Sequence, residues 1–483
     1  MADSDYGLRI GKRAFVTAFL ILFVLMVLSG ILTRVIPAGS YERRVVEGRE
    51  IVVPESFSTV PRPDYPVWRW FTAPAEVLWG EDSLMIITII LLIILIAGAF
   101  AILDRSGILK AILAGIVTRF QKRKYLLLAL VVLFFMLFGS LLGNFEEMIP
   151  LVVVIVPLAH ILGWDSLVGL GMSLLAVAFG FSSAITNPFT LGVAQSIAGL
   201  PLFSGAAFRI LFFAVIYALV VGFVTLYARR VEKNPERSLT YQEDRALKAR
   251  YSPEALFGGA PAGSTRGPVL WFAVWIALAI AFVAASTRIP SISFLAFPAI
   301  GIAFLIAGVG AGLLAGMPAG RIAGTFGKGI VGILPGMLLI LMAMSIKHII
   351  ASGGIMDTVL HAASLTIARA PKFLAVLLIY LLVLVLNFFI GSATAKSFLV
   401  MPILTPLADL VGLNRQIVVT AFTFGDGFSN VLYPTNALLL IALSFTIVGY
   451  TRWVRWTFKL QAVVFGVTIL FLLLALAIGY GPY

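Results

Sequence analysis

Apolar stretches long enough to cross a lipid bilayer recur along almost the whole of this chain. Residues 14–36 form the first such stretch and residues 84–103 the second. An α-helix needs about 20 mostly apolar residues to span the hydrocarbon core, and 61% of the 483 residues are hydrophobic while only 12% are charged. The sequence therefore predicts an all-α polytopic membrane protein, which we expect in the bacterial cytoplasmic (inner) membrane. The first stretch is too long for a signal-peptide core and is predicted to be a retained helix.

Basic residues predict which loops face the cytoplasm. Arg9, Lys12 and Arg13 precede the first stretch, which predicts a cytoplasmic N-terminus by the positive-inside rule. Residues 37–80 then lie outside, where the alternation in "RRVVEGREIVV" predicts a small β-hairpin. The basic segment 227–250 is predicted to be cytoplasmic, and the C-terminus to lie outside. We therefore attribute the net charge of +13 to cytoplasmic loops and expect no nucleic-acid partner.

Residues 125–162 are predicted to form a hairpin that enters the membrane from the cytoplasm and returns to it. They comprise two apolar runs on either side of "GNFEE", and the second run, 148–162, is short for a full span. The segments before 125 and after 227 are both predicted to be cytoplasmic, so the chain between them must cross the membrane an even number of times. A re-entrant hairpin adds no crossing and therefore satisfies this condition. Residues 167–200 then cross once as a broken helix, because Pro188 in "SSAITNPFT" removes a backbone donor.

The second half of the chain repeats this pattern at a constant offset of 249 residues. Gly163 matches Gly412 and Phe179 matches Phe428 without a gap. The basic "TRWVR" after the second copy places its hairpin on the outer side, so the repeats are predicted to be inverted. We predict a first repeat at 1–229, a cytoplasmic linker at 230–268, a connecting helix and outer turn at 269–291, and a second repeat at 292–483 with a hairpin at 373–411 and a broken helix at 416–449. The total is nine transmembrane helices and two re-entrant hairpins.

The two hairpin tips are predicted to carry the binding residues. Glu146 and Glu147 lie among apolar residues, and a carboxylate in hydrocarbon is expensive enough that a chain normally uses it. At the constant offset Glu147 corresponds to Lys396 in the second tip, "GSATAKS", so one tip is anionic and the other cationic. The helix breaks add polar side chains. The predicted substrate-binding residues are Asn144, Glu146, Glu147, Asn187, Thr190, Ser392, Thr394, Lys396, Thr435 and Asn436.

A cation site is predicted beside them. Asp426 and Asn430 in "FGDGFSN" are four residues apart and share one helix face, and their oxygens suit a sodium ion or a proton. The predicted coupling-ion residues are Gly143, Thr186, Asp426 and Asn430, with possible sodium ligation at Asp426 and Asn430. No other cofactor is expected, and the absence of cysteine excludes disulfides and thiol catalysis.

Each of these residues also has a purely structural interpretation. Glu146 or Glu147 could cap the helix that follows, because carboxylates satisfy the free N–H groups at a helix N-terminus. Lys396 could pair with a carboxylate inside the protein, and Asp426 could accept a structural hydrogen bond. The functional interpretation rests on four motifs of one kind at repeat-related positions.

The chain resembles the YfcC branch of the DcuC-type carriers, within the ion transporter superfamily. The resemblance is carried by "EEMIP", "NPFTLGVAQSIAGLPLFSG", "YARRVEKNP", "NFFIGS", "MPILTPLADLVGLNRQ" and "FGDGFSNVLYPTNA". The tip "GSATAKSFLVMP" is similar to that of AbgT-type carriers. The resemblance implies an elevator-type secondary transporter of small carboxylate-bearing metabolites. DcuC-type members are associated with C4-dicarboxylates, and YfcC-type members with antiport of basic amino acids.

We therefore predict an ion-coupled carrier, symporter or antiporter, for an amino acid, basic amino acids included. Two carboxylates suit the substrate's ammonium, and Ser392, Thr394, Lys396 and helix N-termini suit its carboxylate. A C4-dicarboxylate carrier is the alternative, if one glutamate binds the coupling proton. A channel also fits inverted hairpins. An enzyme is disfavoured because HExxH, a GxSxG tip and paired catalytic aspartates are missing from the sequence. The expected partners are the substrate, the lipid bilayer and a second copy in a homodimer.

Overall fold

The computed structural model describes residues 12–46, 49–80, 83–143, 145–250, 266–286 and 295–481. Within them, nine helices are long and apolar enough to cross a membrane, which confirms the all-α polytopic membrane fold. They are Phe15–Val35, Ile86–Arg105, Lys124–Leu142, Ala206–Lys233, Arg266–Val283, Phe297–Leu314, Ala319–Ser352, Lys372–Phe389 and Tyr450–Ala477.

The nine helices are not the same nine that the sequence predicted. Lys124–Leu142 and Lys372–Phe389 are the first arms of the two predicted hairpins. The sequence-based count of nine left out these two arms and included the two broken helices. Each broken helix is too interrupted to form one long helix. Arg9, residues 251–265 of the predicted linker and residues 287–294, which include most of the predicted outer turn, lie outside the described residues.

Five helices form a first layer. They are Lys12–Val35, Ser83–Arg105, Arg266–Ser286, Ala296–Leu314 and Ala319–Ser352, and each packs against at least one other member. Small residues allow close approach where these helices cross. A Cβ atom at Gly308 would lie 2.7 Å from the Cβ of Ala99. Helices in a bilayer associate through such close backbone packing, since lipid supplies little hydrophobic drive between them.

The second layer contains the two hairpins and the two broken helices. Hairpin 1 consists of Lys124–Leu142 followed by residues 146–161, and hairpin 2 of Lys372–Phe389 followed by Ala393–Leu410. The first broken helix comprises Ser166–Ser182, Pro188–Gly192 and Val193–Ile197. The second comprises Arg415–Gly427, Phe428–Val431 and Ala437–Ser444. Ala206–Lys233 and Tyr450–Ala477 flank this layer and contact each other.

Equivalent positions at the offset of 249 share local structure. Gly163 and Gly412 both follow a hairpin with a left-handed backbone, at φ +88° and +68°. Two residues later, Asp165 caps the next helix by accepting a hydrogen bond from Val168 N, and Asn414 does the same from Gln416 N. Left-handed glycines and side-chain caps are the ordinary signals for ending one helix and starting the next.

Phe179 and Phe428, which are also equivalent, contact each other directly. Their ring centroids are 5.1 Å apart and the rings are nearly perpendicular, at 86°. Phe179 lies in Ala176–Ser182 and Phe428 in Phe428–Val431, so this contact joins the two broken helices.

The shorter elements connect and cover the layers. Strand Arg43–Val46 pairs with Arg49–Val52 in an antiparallel hairpin, as "RRVVEGREIVV" predicts, and Gly39–Ser40 pairs with Ser58–Thr59. An ion pair of 3.0 Å between Arg43 and Asp357 ties this strand pair to the helix Met356–Ala368. The remaining helices are Arg69–Glu76, Ile108–Phe120, Gln121–Arg123, Pro235–Arg237 and Tyr241–Arg250.

A buried carboxylate fastens the predicted cytoplasmic linker to the first broken helix. Asp244 is fully buried and accepts hydrogen bonds from Ser166 N at 3.1 Å, Ser166 Oγ at 2.6 Å and Thr240 Oγ1 at 2.6 Å. We expect Asp244→Asn to lower the free energy of unfolding by about 2–3 kcal/mol, since hydrogen bonds to a buried charge are lost and donors are left unpaired. Thermal unfolding in detergent measures the loss.

Glu243 supplies the matched control for that variant. It precedes Asp244 and pairs with Arg452 at 2.5 Å, but both side chains are partly exposed, at 31% and 42%. Glu243→Gln should therefore change the free energy of unfolding by less than about 1 kcal/mol. Equal losses in the two variants would contradict the anchoring role of Asp244.

Candidate binding site

A cavity of about 370 Å³ lies where the hairpin tips and helix breaks of the second layer face the first layer. The first layer contributes Ile89, Phe297, Met344 and Lys347. The second layer contributes both tips, one helix break and several phenylalanines, among them Phe145, Phe181, Phe189, Phe388 and Phe389. A mostly apolar concave wall with a few polar groups is the usual form of a small-molecule site.

The tip of hairpin 1 places two carboxyl groups at this cavity. Lys124–Leu142 ends in a π-helical turn, and Gly143 then reverses the chain with φ +72°. A side chain there would overlap Asn187, so the tight tip requires glycine. Glu146 and Glu147 begin the 3-10 helix Glu146–Leu151 and line the cavity with their side chains half-buried. The positive end of the helix favours these negative groups.

The tip of hairpin 2 contributes hydroxyl groups and a helix N-terminus. Ser392 caps Ala393–Leu410 by accepting a hydrogen bond from Ala395 N at 3.3 Å, and it lines the cavity together with Thr394. Thr394 Oγ1 donates to the carbonyl of Phe189 at 3.1 Å. Backbone N–H groups at a helix N-terminus bind anions, so this wall suits a carboxylate.

The two helix breaks differ in what they present. At the second break, Asn430, Thr435 and Asn436 line the cavity. Asn436 caps the helix Ala437–Ser444 by accepting from Leu438 N and Leu439 N, and its amide donates to Asn430 Oδ1 at 3.1 Å.

The polar side chains of the first break are turned away from the cavity. Asn187 is fully buried and caps Phe189 N and Thr190 N. Thr190 is buried as well, and Thr186 Oγ1 donates to Leu141 O at 3.0 Å. Asn187, Thr190 and Thr186 do not line the cavity. Asn144, which was also predicted to bind substrate, lies outside the described residues.

Lys396 is not on the cavity wall, although the sequence placed it at the tip. Its side chain is completely buried, and its ammonium bonds to Asp426 Oδ1 at 2.5 Å and to Asn387 Oδ1. Asp426 is only 1% exposed and does not line the cavity either. Lys396 points inward because it lies in the first helical turn on the face that packs against Arg415–Gly427. The structural interpretation of Lys396 given above matches this pairing.

Lys347 is the cavity's cation, and the sequence analysis did not predict it. It lies in Ala319–Ser352, opposite the hairpin tips, and lines the cavity. A lysine within an apolar helix was a usable signal.

His348, the neighbour of Lys347, lies 3.3 Å from Oε2 of Glu76 at the end of the helix Arg69–Glu76. Burial opposes ionisation of Glu76, but hydrogen bonds from Arg69, Thr72 and His348 lower its pKa to about 2. Glu76 thus stays ionised at neutral pH and helps to hold the His348 end of Ala319–Ser352.

Within the described residues, the cavity therefore combines both signs of charge with neutral polar groups. Glu146 and Glu147 come from one side and Lys347 from the other, while Ser392, Thr394 and the amides of Asn430 and Asn436 complete the wall. Such a wall can bind a small polar molecule that carries charges of both signs. A polytopic membrane protein with a charged cavity between two helix layers is typical of transporters.

Comparison with known families gives the same class. The family model of DcuC, described as a C4-dicarboxylate anaerobic carrier, matches residues 15–477, so the chain belongs to the DcuC family. It is a transporter and not an enzyme. It is 29% identical to YfcC of Escherichia coli (strain K12), named as a candidate basic amino acid antiporter, over 95% of this chain and 96% of that protein. An uncharacterized protein of Haemophilus influenzae is 23% identical over 91% and 93% of the two chains.

Two solved transporter structures align with most of the chain. The YdaH transporter of Alcanivorax borkumensis aligns over 97% of this chain and 99% of that one, with 17% identity and a TM-score of 0.40. MtrF of Neisseria gonorrhoeae, an antimetabolite efflux pump, aligns over 95% and 94%, with 15% identity and a TM-score of 0.40.

Proposed function

We propose that this transporter carries a zwitterionic amino acid, basic amino acids included, across the bacterial inner membrane. The observation that carries the proposal is the pair of opposite charges on the cavity wall. Glu146 and Glu147 bind the substrate's ammonium, and Lys347 binds its carboxylate together with the N-terminus of Ala393–Leu410. A second ammonium, on a basic side chain, is accommodated because two carboxylates are present.

The cavity volume supports a substrate of this size. About 370 Å³ lies within the range of small-molecule sites, and its phenylalanines provide apolar surface for an aliphatic side chain. The name of the relative YfcC, a candidate basic amino acid antiporter, supports the same substrate class.

A C4-dicarboxylate is the second candidate, and the description of the matching family model favours it. Lys347 and the N-terminus of Ala393–Leu410 suit its two carboxylates. The adjacent Glu146 and Glu147 oppose it, unless one of them binds a proton that is transported with the substrate. We rank it second because the cavity wall has two carboxyl groups and one lysine among the described residues.

The transport cycle that we propose is an elevator movement of the second layer against the first. The cavity lies between these layers, so a displacement of one of them carries the bound substrate across the membrane. The proposal includes inverted repeats with re-entrant hairpins, an N-terminus in the cytoplasm, a C-terminus outside and a homodimeric assembly. It also includes coupling to a proton or to sodium. The equivalent caps and turns at the offset of 249 support the repeat.

A transport screen in proteoliposomes tests the proposed function. The protein is reconstituted, loaded with one unlabelled candidate and supplied with the same labelled compound outside, so that exchange reports recognition without a need for a gradient. We expect arginine, lysine or a neutral amino acid to exchange saturably, and succinate and fumarate to exchange poorly. Saturable exchange of the dicarboxylates alone would overturn the proposal, and non-saturating flux would indicate a channel.

A further inference from the structure

Lys396 is a fully buried cation held by oxygen atoms of two neighbouring helices. Its ammonium bonds to Asp426 Oδ1 at 2.5 Å and also to Asn387 Oδ1. Lys396 is 0% exposed, Asp426 1% and Asn387 4%. A carboxylate oxygen and an amide oxygen that converge on one point are the ligands of a hard cation such as sodium. Here that point is occupied by the end of a side chain.

The surrounding amides are oriented to support this arrangement. Asn387 Nδ2 donates to Ser429 Oγ at 2.7 Å and to Asn430 Oδ1 at 2.9 Å, which turns Asn387 Oδ1 toward Lys396. Asn430 Oδ1 also accepts from Asn436 at 3.1 Å. Asn430, a predicted sodium ligand, thus already accepts two N–H groups with its oxygen. This network extends from the cavity wall, at Asn430 and Asn436, to the buried ion pair.

Electrostatics disfavours an additional cation at this place. Lys396 and Asp426 together carry no net charge, so a sodium ion bound to the same carboxylate would bring an uncompensated charge into a site closed to water. Lys396 also lies in the first turn of Ala393–Leu410, where the helix dipole disfavours a positive group. The lysine is stable there only because the carboxylate of Asp426 faces it.

We propose that the ammonium of Lys396 permanently replaces the cation that would otherwise bind Asp426 and Asn387, so that this carrier requires no sodium ion at this site. The cation moves with hairpin 2 because it is covalently attached to it. A sodium gradient therefore does not drive transport through this site. The inference concerns the ion and not the substrate, and it does not depend on which metabolite is carried.

Removal of the side chain should convert the position into a real sodium site. Asp426 Oδ2 is buried and has no hydrogen-bond partner within the described chain, and Oδ1 loses the ammonium that faces it once Lys396 is shortened. Lys396→Ala removes the side chain from Cγ to Nζ and therefore leaves a carboxylate, the Asn387 oxygen and a space that a sodium ion can share with water. A sodium ion supplies the missing positive charge.

The test compares thermal unfolding of the purified protein in sodium chloride and in choline chloride at equal ionic strength. For the unaltered chain we expect no difference between the two salts. For Lys396→Ala we expect a saturable sodium-dependent rise in Tm of about 3 °C. Lys372→Ala, at an exposed position on the same hairpin, should show none, and Lys396→Ala/Asp426→Asn should lose the rise.

Two outcomes overturn the proposal. The first is saturable stabilisation of the unaltered chain by sodium that Asp426→Asn abolishes. The second is a folded Lys396→Ala variant, monodisperse in gel filtration, that sodium does not stabilise. If that variant aggregates, equilibrium binding of radioactive sodium to the unaltered chain decides, because the proposal requires no binding that depends on Asp426. No substrate is present in these measurements, so their failure is distinct from a failure of the proposed transport function.

Discussion

Lys396→Met is expected to lower the free energy of unfolding by about 3–5 kcal/mol, because it leaves the buried carboxylate of Asp426 without its charge partner. Asp426→Asn should cost a similar amount, since it leaves the ammonium of Lys396 equally uncompensated. Both residues are almost completely buried and their charged atoms are 2.5 Å apart. These are the largest stability effects that we expect from single changes in this chain.

The double variant Lys396→Met/Asp426→Asn distinguishes a charge pair from two independent structural roles. It removes both charges together, so its loss should be well below the sum of the single losses and smaller than either one. Lys372→Met, an exposed change on the same hairpin, controls for general effects of losing a lysine. Thermal unfolding of all four variants provides the comparison. Additive losses would contradict the pairing of Lys396 with Asp426.

Replacement of Glu146 and Glu147 by glutamine is expected to weaken amino acid binding about 100-fold or more. Removal of one partner of a desolvated charge pair between ligand and protein typically costs several kcal/mol. The helix N-terminus at Glu146 remains in the variant, but it cannot bind an ammonium in place of the lost carboxylates. Both residues line the cavity, so their effect should appear in the Kd and not in stability. Isothermal titration of the purified protein measures the change.

The control for this variant is Glu243→Gln, which removes a carboxylate that does not line the cavity. Dicarboxylate binding gives the second comparison. If the account is correct, the double glutamine variant loses amino acid binding and gains no affinity for succinate. Amino acid binding that survives while the pH dependence of transport is lost would instead assign the two glutamates to a coupling proton.

The membrane fold could be predicted from the chain because it depends on local properties. Apolar runs identify helices wherever they occur, and the motifs "GNFEE" and "GSATAKS" lie at helix ends that do meet at one cavity. The helix breaks followed from proline and asparagine, whose effects on the backbone act within a few residues. The inverted orientation of the repeats stays a prediction because it is defined relative to the membrane. The roles of the site residues stay predictions because they are defined by the bound substrate.

The direction of individual side chains could not be predicted in the same way. Lys396 lies one residue after Ala395, which lines the cavity, yet its ammonium turns into the protein toward Asp426. That outcome depends on the rotation of one helix against another. Asn187 and Asn436 are separated by the offset of 249 residues, but only Asn436 lines the cavity. Lys347 comes from the first layer, outside either motif, and only the assembled fold brings it to the site.

We expect the cavity to bind an ammonium and a carboxylate of the same molecule. The most direct measurement compares stabilisation of the unaltered protein by three matched ligands, namely L-lysine, its decarboxylated amine cadaverine, and the dicarboxylate glutarate. We predict that L-lysine raises the Tm in a saturable manner, while cadaverine and glutarate have weaker effects because each lacks one of the two groups. Stabilisation by glutarate that exceeds that by L-lysine would contradict the account.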